Sequence, residues 1–211
     1  MTSLPDLSFE LLAHGRGFLR VAGVDEAGRG PLCGPVVAAA VVLNRAHIPS
    51  GINDSKKLSE KRRSQLFDQI MELAAVGVGH ATPAEIDELN ILRASHLAMV
   101  RAIAALPVAP DHVLIDGNII PRGLTVSAEA LIKGDARSLS IGAASIIAKV
   151  TRDRIMVDLA QQHPGYGWEA NAGYPTKAHL DALQILGVTP WHRRSFKPVH
   201  NILYQDVSVS S

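Results

Sequence analysis

The stretch VAGVDEAGRGPLCGPVVAAAVVL, residues 21–43, decides the fold. It opens with a short apolar run that stops at Asp25 and Glu26, and residues 36–43 form a second apolar run rich in β-branched side chains. Runs of this kind predict two buried strands. The loop between them is dense in Gly and Pro, which permits unusual backbone angles and close approach to a ligand.

Helical and strand patterns alternate along most of the remaining chain. Apolar residues spaced for one helical face predict helices over residues 59–74, 91–106 and 138–162. Further strands are predicted over residues 76–81 and 112–115 and, from a weaker pattern, over 125–132. A capping box at Thr82 predicts one more helix start. This interleaving predicts an α/β sheet with helices packed on it.

Composition limits the class of protein. The 211 residues are 47% hydrophobic, enough for a substantial core, and the net charge of +1 gives no strong overall attraction to nucleic acid or membrane. The single cysteine, Cys33, excludes an internal disulfide, fits a reducing compartment and is best interpreted as a small buried hydrophobe. Residues 1–19 lack a secretory signal, and the longest apolar run is shorter than the ~20 residues that a membrane helix needs. We therefore expect a cytoplasmic protein.

Acidic residues follow three of the predicted strands. They are Asp25 with Glu26, Asp116, and Asp135 after Lys133-Gly134. If the strands of Asp25 and Asp116 are parallel neighbours, their carboxyl ends meet at one crevice, where the clustered charges repel unless a cation neutralises them. Oxygen ligands suit Mg²⁺ or Mn²⁺ rather than Zn²⁺, and a pair of such ions can hydrolyse a phosphodiester. Ordinary turn and helix-start chemistry also explains each acid singly, so both interpretations stay open here.

Longer motifs resemble the ribonuclease HII family. Residues 24–31 and 34–37, VDEAGRGP and GPVV, resemble the opening signature of that family, which belongs to the type 2 ribonucleases H. Further segments that resemble the family follow in the same order: NDSKKLS at 53–59, IDGN at 115–118, KGDA at 133–136, AASIIAKVTRD at 143–153 and GYPTK at 173–177. The resemblance runs from about residue 21 to residue 198.

The resemblance implies a ribonuclease H-like α/β fold, in which a mixed central sheet of about five strands is flanked by helices and followed by a C-terminal helical segment. It implies a metal-dependent endoribonuclease that hydrolyses the RNA strand of RNA–DNA hybrids and cuts at single ribonucleotides in duplex DNA. Cleavage would leave a 3′-hydroxyl and a 5′-phosphate, and the activity would serve DNA replication and repair. Asp25, Glu26, Asp116 and Asp135 match the four acidic positions that hold two Mn²⁺ or Mg²⁺ ions. Asp25 would be the shared ligand, with Glu26 in support.

The resemblance also implies which residues read the substrate. Gly28, Arg29 and Gly30 match a loop whose backbone reaches a ribose 2′-hydroxyl, the group that distinguishes RNA from DNA. Tyr174 matches a ring that packs on the sugar beside the ribonucleotide, although Pro175 stands where the motif usually has Gly. Lys56 lies in the matched Asp-Ser-Lys segment and is a candidate phosphate contact.

The C-terminal part of the chain differs in character from the rest. After His163 the sequence is richer in aromatic, histidine and basic residues, with one predicted helix over 176–186. We divide the chain into a catalytic domain, residues 1–163, and a substrate-contacting segment, residues 164–211, packed on the same domain. The basic residues of 191–197 are a second candidate for tracking phosphates, whereas Lys61, Arg62 and Arg63 are better explained as a solvated face.

Alternatives remain from two classes. One is another two-metal nuclease of the same fold, a type 3 ribonuclease H or a resolvase, and the other is a non-catalytic protein that binds hybrids. The histidines show no zinc-binding spacing, and His163, His179, His192 and His200 are predicted to be surface or structural. We expect a monomer that binds RNA–DNA hybrid and ribonucleotide-containing duplex DNA and no membrane. Residues 201–211 contain no clear peptide for binding a sliding clamp.

Overall fold

A mixed sheet of five strands forms the centre of the protein. The structure is a computed structural model that describes residues 4–204. The strands are β1 (Val21–Ala27), β2 (Val36–Val42), β3 (Ala75–Ala81), β4 (His112–Asp116) and β5 (Ser127–Leu131). They lie in the order β3-β2-β1-β4-β5, with β1 antiparallel to β2 and parallel to β4. This confirms the predicted mixed sheet.

Eight α-helices surround the sheet within the described residues. They are α1 (Ser8–Gly15), α2 (Glu60–Leu73), α3 (Pro83–Leu89), α4 (Ile91–Ala104), α5 (Leu139–Gln162), α6 (Trp168–Asn171), α7 (Lys177–Leu186) and α8 (Lys197–Tyr204). Short 3₁₀ turns cover Ser55–Lys57 and Gly134–Ala136. None of the helices in this range has the length and apolar character needed to cross a membrane.

Local signals in the sequence account for the helix starts that were predicted. Ser59 caps α2, Ser138 caps α5 and Thr176 caps α7, each by accepting a backbone N–H, and α3 begins with the predicted capping box at Thr82. The helix predicted over 176–186 is confirmed as α7, whereas α6 and α8, which flank it, were not predicted. Helix α1 was not predicted at all. The C-terminal residues 205–211, on which part of the sliding-clamp prediction rests, lie outside the described residues.

The side chains of β2 alternate between the two faces of the sheet and pack in a core on each face. Ala38 and Ala40 face a core built with α3 and α4, whereas Ala39 and Val41 face a second core built with α2 and α5. All four are completely buried, so the predicted buried strand is confirmed. Small side chains here let the helices approach the sheet closely.

Helix α5 lies unusually close to β1. An ideal Cβ on Gly23 would lie 2.1 Å from the carbonyl carbon of Ser140 and 2.2 Å from the backbone nitrogen of Ile141. The start of α5 is held from the other side by Glu10 of α1, whose Oε1 accepts hydrogen bonds from the hydroxyls of Ser138 and Ser140, each at 2.6 Å. A carboxylate at a helix start also complements the helix dipole. Gly23 and Glu10 together fix the position of α5 on the sheet.

We predict that Gly23→Ala lowers the free energy of unfolding by about 1–3 kcal/mol, because the added methyl group must displace helix backbone rather than a flexible side chain. The matched control is Gly15→Ala, where a Cβ would meet nothing within 4 Å, and a change of less than about 1 kcal/mol is expected there. Urea denaturation of both variants measures the difference. Equal stabilities would show that α5 does not constrain Gly23.

Candidate active site

Three of the predicted acids lie together at the ends of two neighbouring strands, β1 and β4. In the parallel pair of β1 and β4, Val24 lies opposite Ile115, so Asp25 and Asp116 follow side by side one residue further on. Glu26 comes next on β1, and its backbone N–H donates to Asp25 Oδ1 at 2.7 Å. The structure therefore brings Asp25, Glu26 and Asp116 together at the carboxyl end of the two strands.

A tight turn before α5 brings the fourth acid. Lys133 takes up a left-handed backbone conformation, with φ of 56°, and leads into the 3₁₀ turn that carries Asp135. Asp116 Oδ1 accepts hydrogen bonds from the backbone N–H groups of Gly134, at 2.7 Å, and Asp135, at 3.4 Å. Asp116 thus fixes the turn that places Asp135 beside it.

Desolvation and mutual repulsion dominate the electrostatics of these acids. Burial, reinforced by Glu26 and Asp116, raises the pKa of Asp25 well above its ordinary value, and a hydrogen bond with Ser145 offsets only part of this. Burial also raises the pKa of Glu26, although Arg29 opposes the shift. Both effects disfavour ionised carboxylates unless a cation is close by.

Lys56 is a partial counter-charge to the acid cluster. Its Nζ lies 4.0 Å from Asp135 Oδ2, and the side chain is otherwise largely exposed. Burial raises the pKa of Asp135, as do Asp116 and Asp54, while Lys56 lowers it. For Lys56 itself, partial burial works to lower the pKa, but the surrounding acids outweigh it and the pKa is raised. An exposed ammonium at this distance neutralises the cluster only in part.

The acid cluster fits hard divalent cations. Glu26 Oε2 is buried and has no hydrogen-bond partner within residues 4–204. A cavity of about 30 Å³ opens beside it, bounded also by Asp116 and His96. At roughly 10–15 Å³ for each, that volume holds two or three bodies of the size of a water molecule. An oxygen-only ligand set with an unpartnered buried carboxylate oxygen suits Mg²⁺ or Mn²⁺.

The Gly28–Gly30 loop and Tyr174, which were predicted to read the substrate, lie next to each other, whereas Lys56 lies on the Asp135 side of the acids. Arg29 Nη1 donates to Glu26 Oε1 at 3.2 Å, which links the Gly28–Gly30 loop to the cluster. Gly28 has φ of 93°, and a Cβ there would lie 2.0 Å from Arg152 Nε, so only glycine fits. A Cβ on Gly30 would lie 3.4 Å from Cε1 of Tyr174, whose ring is partly exposed. Tyr174 therefore lies against the loop.

Two arginines beneath this surface were missed or misread by the sequence analysis. Arg152 lies within residues 143–153, which resemble the family, but nothing in its spacing indicated a role. Arg193 was grouped with the residues that could track phosphates, and this was wrong, because it is completely buried and bonded to backbone carbonyls. In the helical cluster, Arg63 is also engaged with backbone, donating to the carbonyl oxygens of Ser55 and Leu58, so the solvated-face interpretation fails for it.

Two of the histidines form a buried network that is structural, as predicted. His179 Nδ1 lies 2.9 Å from the Tyr174 carbonyl oxygen, and its Nε2 accepts the indole N–H of Trp168 at 3.0 Å. His192 Nδ1 accepts the backbone N–H of Thr189 at 3.0 Å, and its Nε2 lies 3.3 Å from His179 Nε2.

Cys33 Sγ approaches the same two imidazoles, and the three ligand atoms lie within 4.8 Å of one another. The hydrogen bonds already use the lone pairs of both rings, so the cluster fits neutral imidazoles rather than a metal ion. Burial raises the pKa of Cys33 to about 12, which keeps the thiol protonated. This agrees with the prediction that Cys33 is a small buried hydrophobe.

Comparisons with known proteins agree with the geometry of the site. A family model described as Ribonuclease HII matches residues 22–199. The chain is 67% identical over 202 residues to a protein named Ribonuclease HII from Ruegeria sp. (strain TM1040), covering 96% of this chain and 88% of that protein.

Solved structures share the fold. Ribonuclease H2 from Pyrococcus horikoshii OT3 superposes with a TM-score of 0.76 and 31% sequence identity, covering 89% of this chain and 98% of that chain. Bst-RNase HIII, solved in complex with Mn²⁺, gives a TM-score of 0.72 at 22% identity, covering 92% of this chain and 72% of that chain.

The buried network generates a pH prediction. Burial, with contributions from His179 and His163, lowers the pKa of His192 to about 4, below the ordinary value of 6.5. Between these two pH values the unfolded chain binds a proton at His192 that the folded chain does not, so acidification lowers the free energy of unfolding.

We therefore expect the stability advantage of the wild type over His192→Asn to shrink as the pH falls from about 7.5 to about 4.5. Urea denaturation of both proteins at several pH values measures this difference, in which the other titrating groups cancel. Parallel stability curves across the window would contradict the prediction.

Proposed function

Because the chain belongs to the ribonuclease HII family, it is an endoribonuclease that acts on RNA–DNA hybrids, and we propose that it also cuts at single ribonucleotides embedded in duplex DNA, using two divalent metal ions. The products in this proposal carry a 3′-hydroxyl and a 5′-phosphate. The observation that carries it is the position of the Tyr174 ring beside Gly30, in a loop that Arg29 joins to the acid cluster.

In this proposal Asp25, Glu26, Asp116 and Asp135 hold Mg²⁺ or Mn²⁺. When bound, such ions activate the attacking water and stabilise the leaving oxygen of the phosphodiester. Asp25 is the most deeply desolvated of the four and is repelled by both Glu26 and Asp116, so it gains most from a nearby cation and would be the ligand shared by both ions. Glu26, with its unpartnered Oε2, would support the site.

The chain's own residues position the substrate. Arg29 and Gly30 are exposed, and the backbone of such a loop suits a hydrogen bond to a ribose 2′-hydroxyl. Tyr174 would pack its ring on the neighbouring sugar, which holds the scissile phosphate over the acids. Lys56, on the Asp135 side of the cluster, would contact a phosphate and release counterions on binding.

The organisation of the chain supports further proposals. Residues 164–211 would extend the catalytic domain, residues 1–163, and contact substrate rather than form a separate core, because Trp168, Leu183 and Val199 share one core with Met156 of α5. We also propose a monomer, since one chain supplies both the acids and the reading surface. The lone buried Cys33 supports a reducing, cytoplasmic environment.

The alternative functions differ from the proposal in the residues or the activity that they require. A non-catalytic protein that binds hybrids would have no need to keep four acids together against their repulsion. A type 3 ribonuclease H or a resolvase would share the acids, and cleavage at a single embedded ribonucleotide is the activity that separates them from the proposal.

We predict that Asp25→Asn abolishes cleavage of a DNA duplex carrying one ribonucleotide, in Mg²⁺ or Mn²⁺, because a shared metal ligand is lost while the side chain keeps its size. Its melting temperature without metal should equal or exceed that of the wild type, since a buried, repelled charge is removed. The matched control is Asp158→Asn, an exposed acid of α5, which should keep full activity.

The same assay tests the metal directly. Chelation should silence the wild type, and Mg²⁺ or Mn²⁺ but not Zn²⁺ should restore it. Wild-type turnover by Asp25→Asn in saturating Mn²⁺, or restoration by Zn²⁺ alone, would refute the assignment of the metal site.

We further predict that Tyr174→Ala slows single-turnover cleavage at an embedded ribonucleotide on the order of a hundredfold, because a misplacement of ~1 Å at the reacting phosphate has effects of that size. Binding to ordinary duplex should be retained, since Lys and Arg contacts to phosphates carry most non-specific affinity. Tyr204→Ala, which removes another exposed tyrosine on α8, is the control. Unchanged cleavage by folded Tyr174→Ala would end the proposed role of the ring.

A further inference from the structure

Two buried guanidinium groups lie directly beneath the Gly28–Gly30 loop. Arg152 of α5 and Arg193 of the C-terminal segment are 1% and 0% exposed. Neither forms a salt bridge with a carboxylate in the part of the chain that the structure describes. Burial, and then the neighbouring Arg152, lowers the pKa of Arg193 to about 9. Two like charges without a counter-ion destabilise a fold, so their retention calls for a reason.

Both guanidinium groups donate hydrogen bonds to backbone carbonyl oxygens. Arg193 donates to the carbonyl oxygens of Gly28 at 2.6 Å, Arg29 at 2.9 Å and Gly34 at 3.0 Å. Arg152 donates to those of Cys33 at 3.2 Å, Pro35 at 3.1 Å and Ala172 at 3.0 Å. Except for Ala172, every one of these acceptors belongs to the loop between β1 and β2.

Holding the carbonyls inward determines where the N–H groups point. In a trans peptide the C=O of one residue and the N–H of the next point in opposite directions. When Arg193 holds the oxygens of Gly28 and Arg29, the N–H groups of Arg29 and Gly30 must face away from it. Both residues are exposed, and neither N–H donates to an acceptor within residues 4–204.

Arg152 ties this loop to the segment that carries Tyr174. Its Nη2 bonds to Cys33 in the loop, and its Nη1 bonds to Ala172, two residues before Tyr174. The backbone N–H of Leu32 also donates to the Gly173 carbonyl oxygen at 2.8 Å. The loop and the tyrosine are therefore parts of one connected surface.

We propose that Arg193 and Arg152 are positioning residues for ribonucleotide recognition: Arg193 turns the N–H groups of Arg29 and Gly30 toward the substrate, and Arg152 sets Tyr174 relative to them. The two positive charges also favour the oxygen-rich sugar–phosphate backbone at the outer face of these peptide groups. This inference rests on the proposed cleavage at embedded ribonucleotides, but neither arginine touches the substrate.

Arg193→Lys tests the inference, because an ammonium keeps the charge but cannot span three carbonyls with fixed geometry. We expect kcat/KM for a duplex with one ribonucleotide, per active molecule, to fall about tenfold or more. The inhibition constant of an all-DNA duplex, used as competitor, should change less than about twofold, since it depends on phosphate contacts elsewhere. The burst amplitude in pre-steady-state reactions with substrate in excess gives the active concentration.

The matched control is Arg101→Lys, which changes another arginine that donates to a backbone carbonyl, that of His80, away from the loop. It should leave both constants unchanged. Should Arg193→Lys fail to fold, Arg193→Gln keeps an amide donor for the carbonyls and removes the buried charge.

The outcomes separate the inference from the function on which it rests. A wild type that does not cut at a single ribonucleotide ends the proposed function. A wild type that cuts, with Arg193→Lys or Arg193→Gln equally fast per active molecule, overturns only the positioning role. Failure of both variants to fold would also overturn it, because the arginine would then serve the fold alone.

Discussion

Repulsion among carboxylates that share a desolvated space is the constraint on which the rest of the structure depends. Asp25, Glu26 and Asp116 leave adjacent strands at the same level, and a turn that Asp116 itself holds adds Asp135. Like charges stay together only on elements too rigid to separate. The backbone pairing of β1 with β4 and the close approach of α5 to Gly23 supply that rigidity, so unfavourable electrostatics are held in place by close packing.

Much of this arrangement could be predicted from the sequence because its signals are local. Apolar runs gave the strands, capping residues such as Thr82 and Ser138 gave helix starts, and one assumption about parallel pairing brought Asp25 and Asp116 together. Helix α1 was missed because Leu7 at its start makes no side-chain cap. The weaker pattern of β5 was nevertheless interpreted correctly.

What the sequence could not provide is the partner of each polar group. A basic residue near other basic residues is most simply interpreted as a surface contact, yet Arg193 bonds to carbonyls 159 to 165 residues away along the chain. The convergence of His179, His192 and Cys33 likewise depends on how the C-terminal segment folds back on the loop after β1. Spacing in sequence carries no information about such contacts, because both ends must first be placed by tertiary packing.

Helix α5 connects the acid cluster with the loop between β1 and β2, so its length sets the distance between them. Ser145 contacts the acid cluster, and Arg152, seven residues and about two helical turns later, contacts the loop between β1 and β2. Each residue inserted between them would rotate the second contact by about 100° and advance it by about 1.5 Å. The number of residues between Ser145 and Arg152 therefore sets the spacing between the acid cluster and the loop between β1 and β2, and in the proposed function that is the spacing between cleavage and recognition of the sugar.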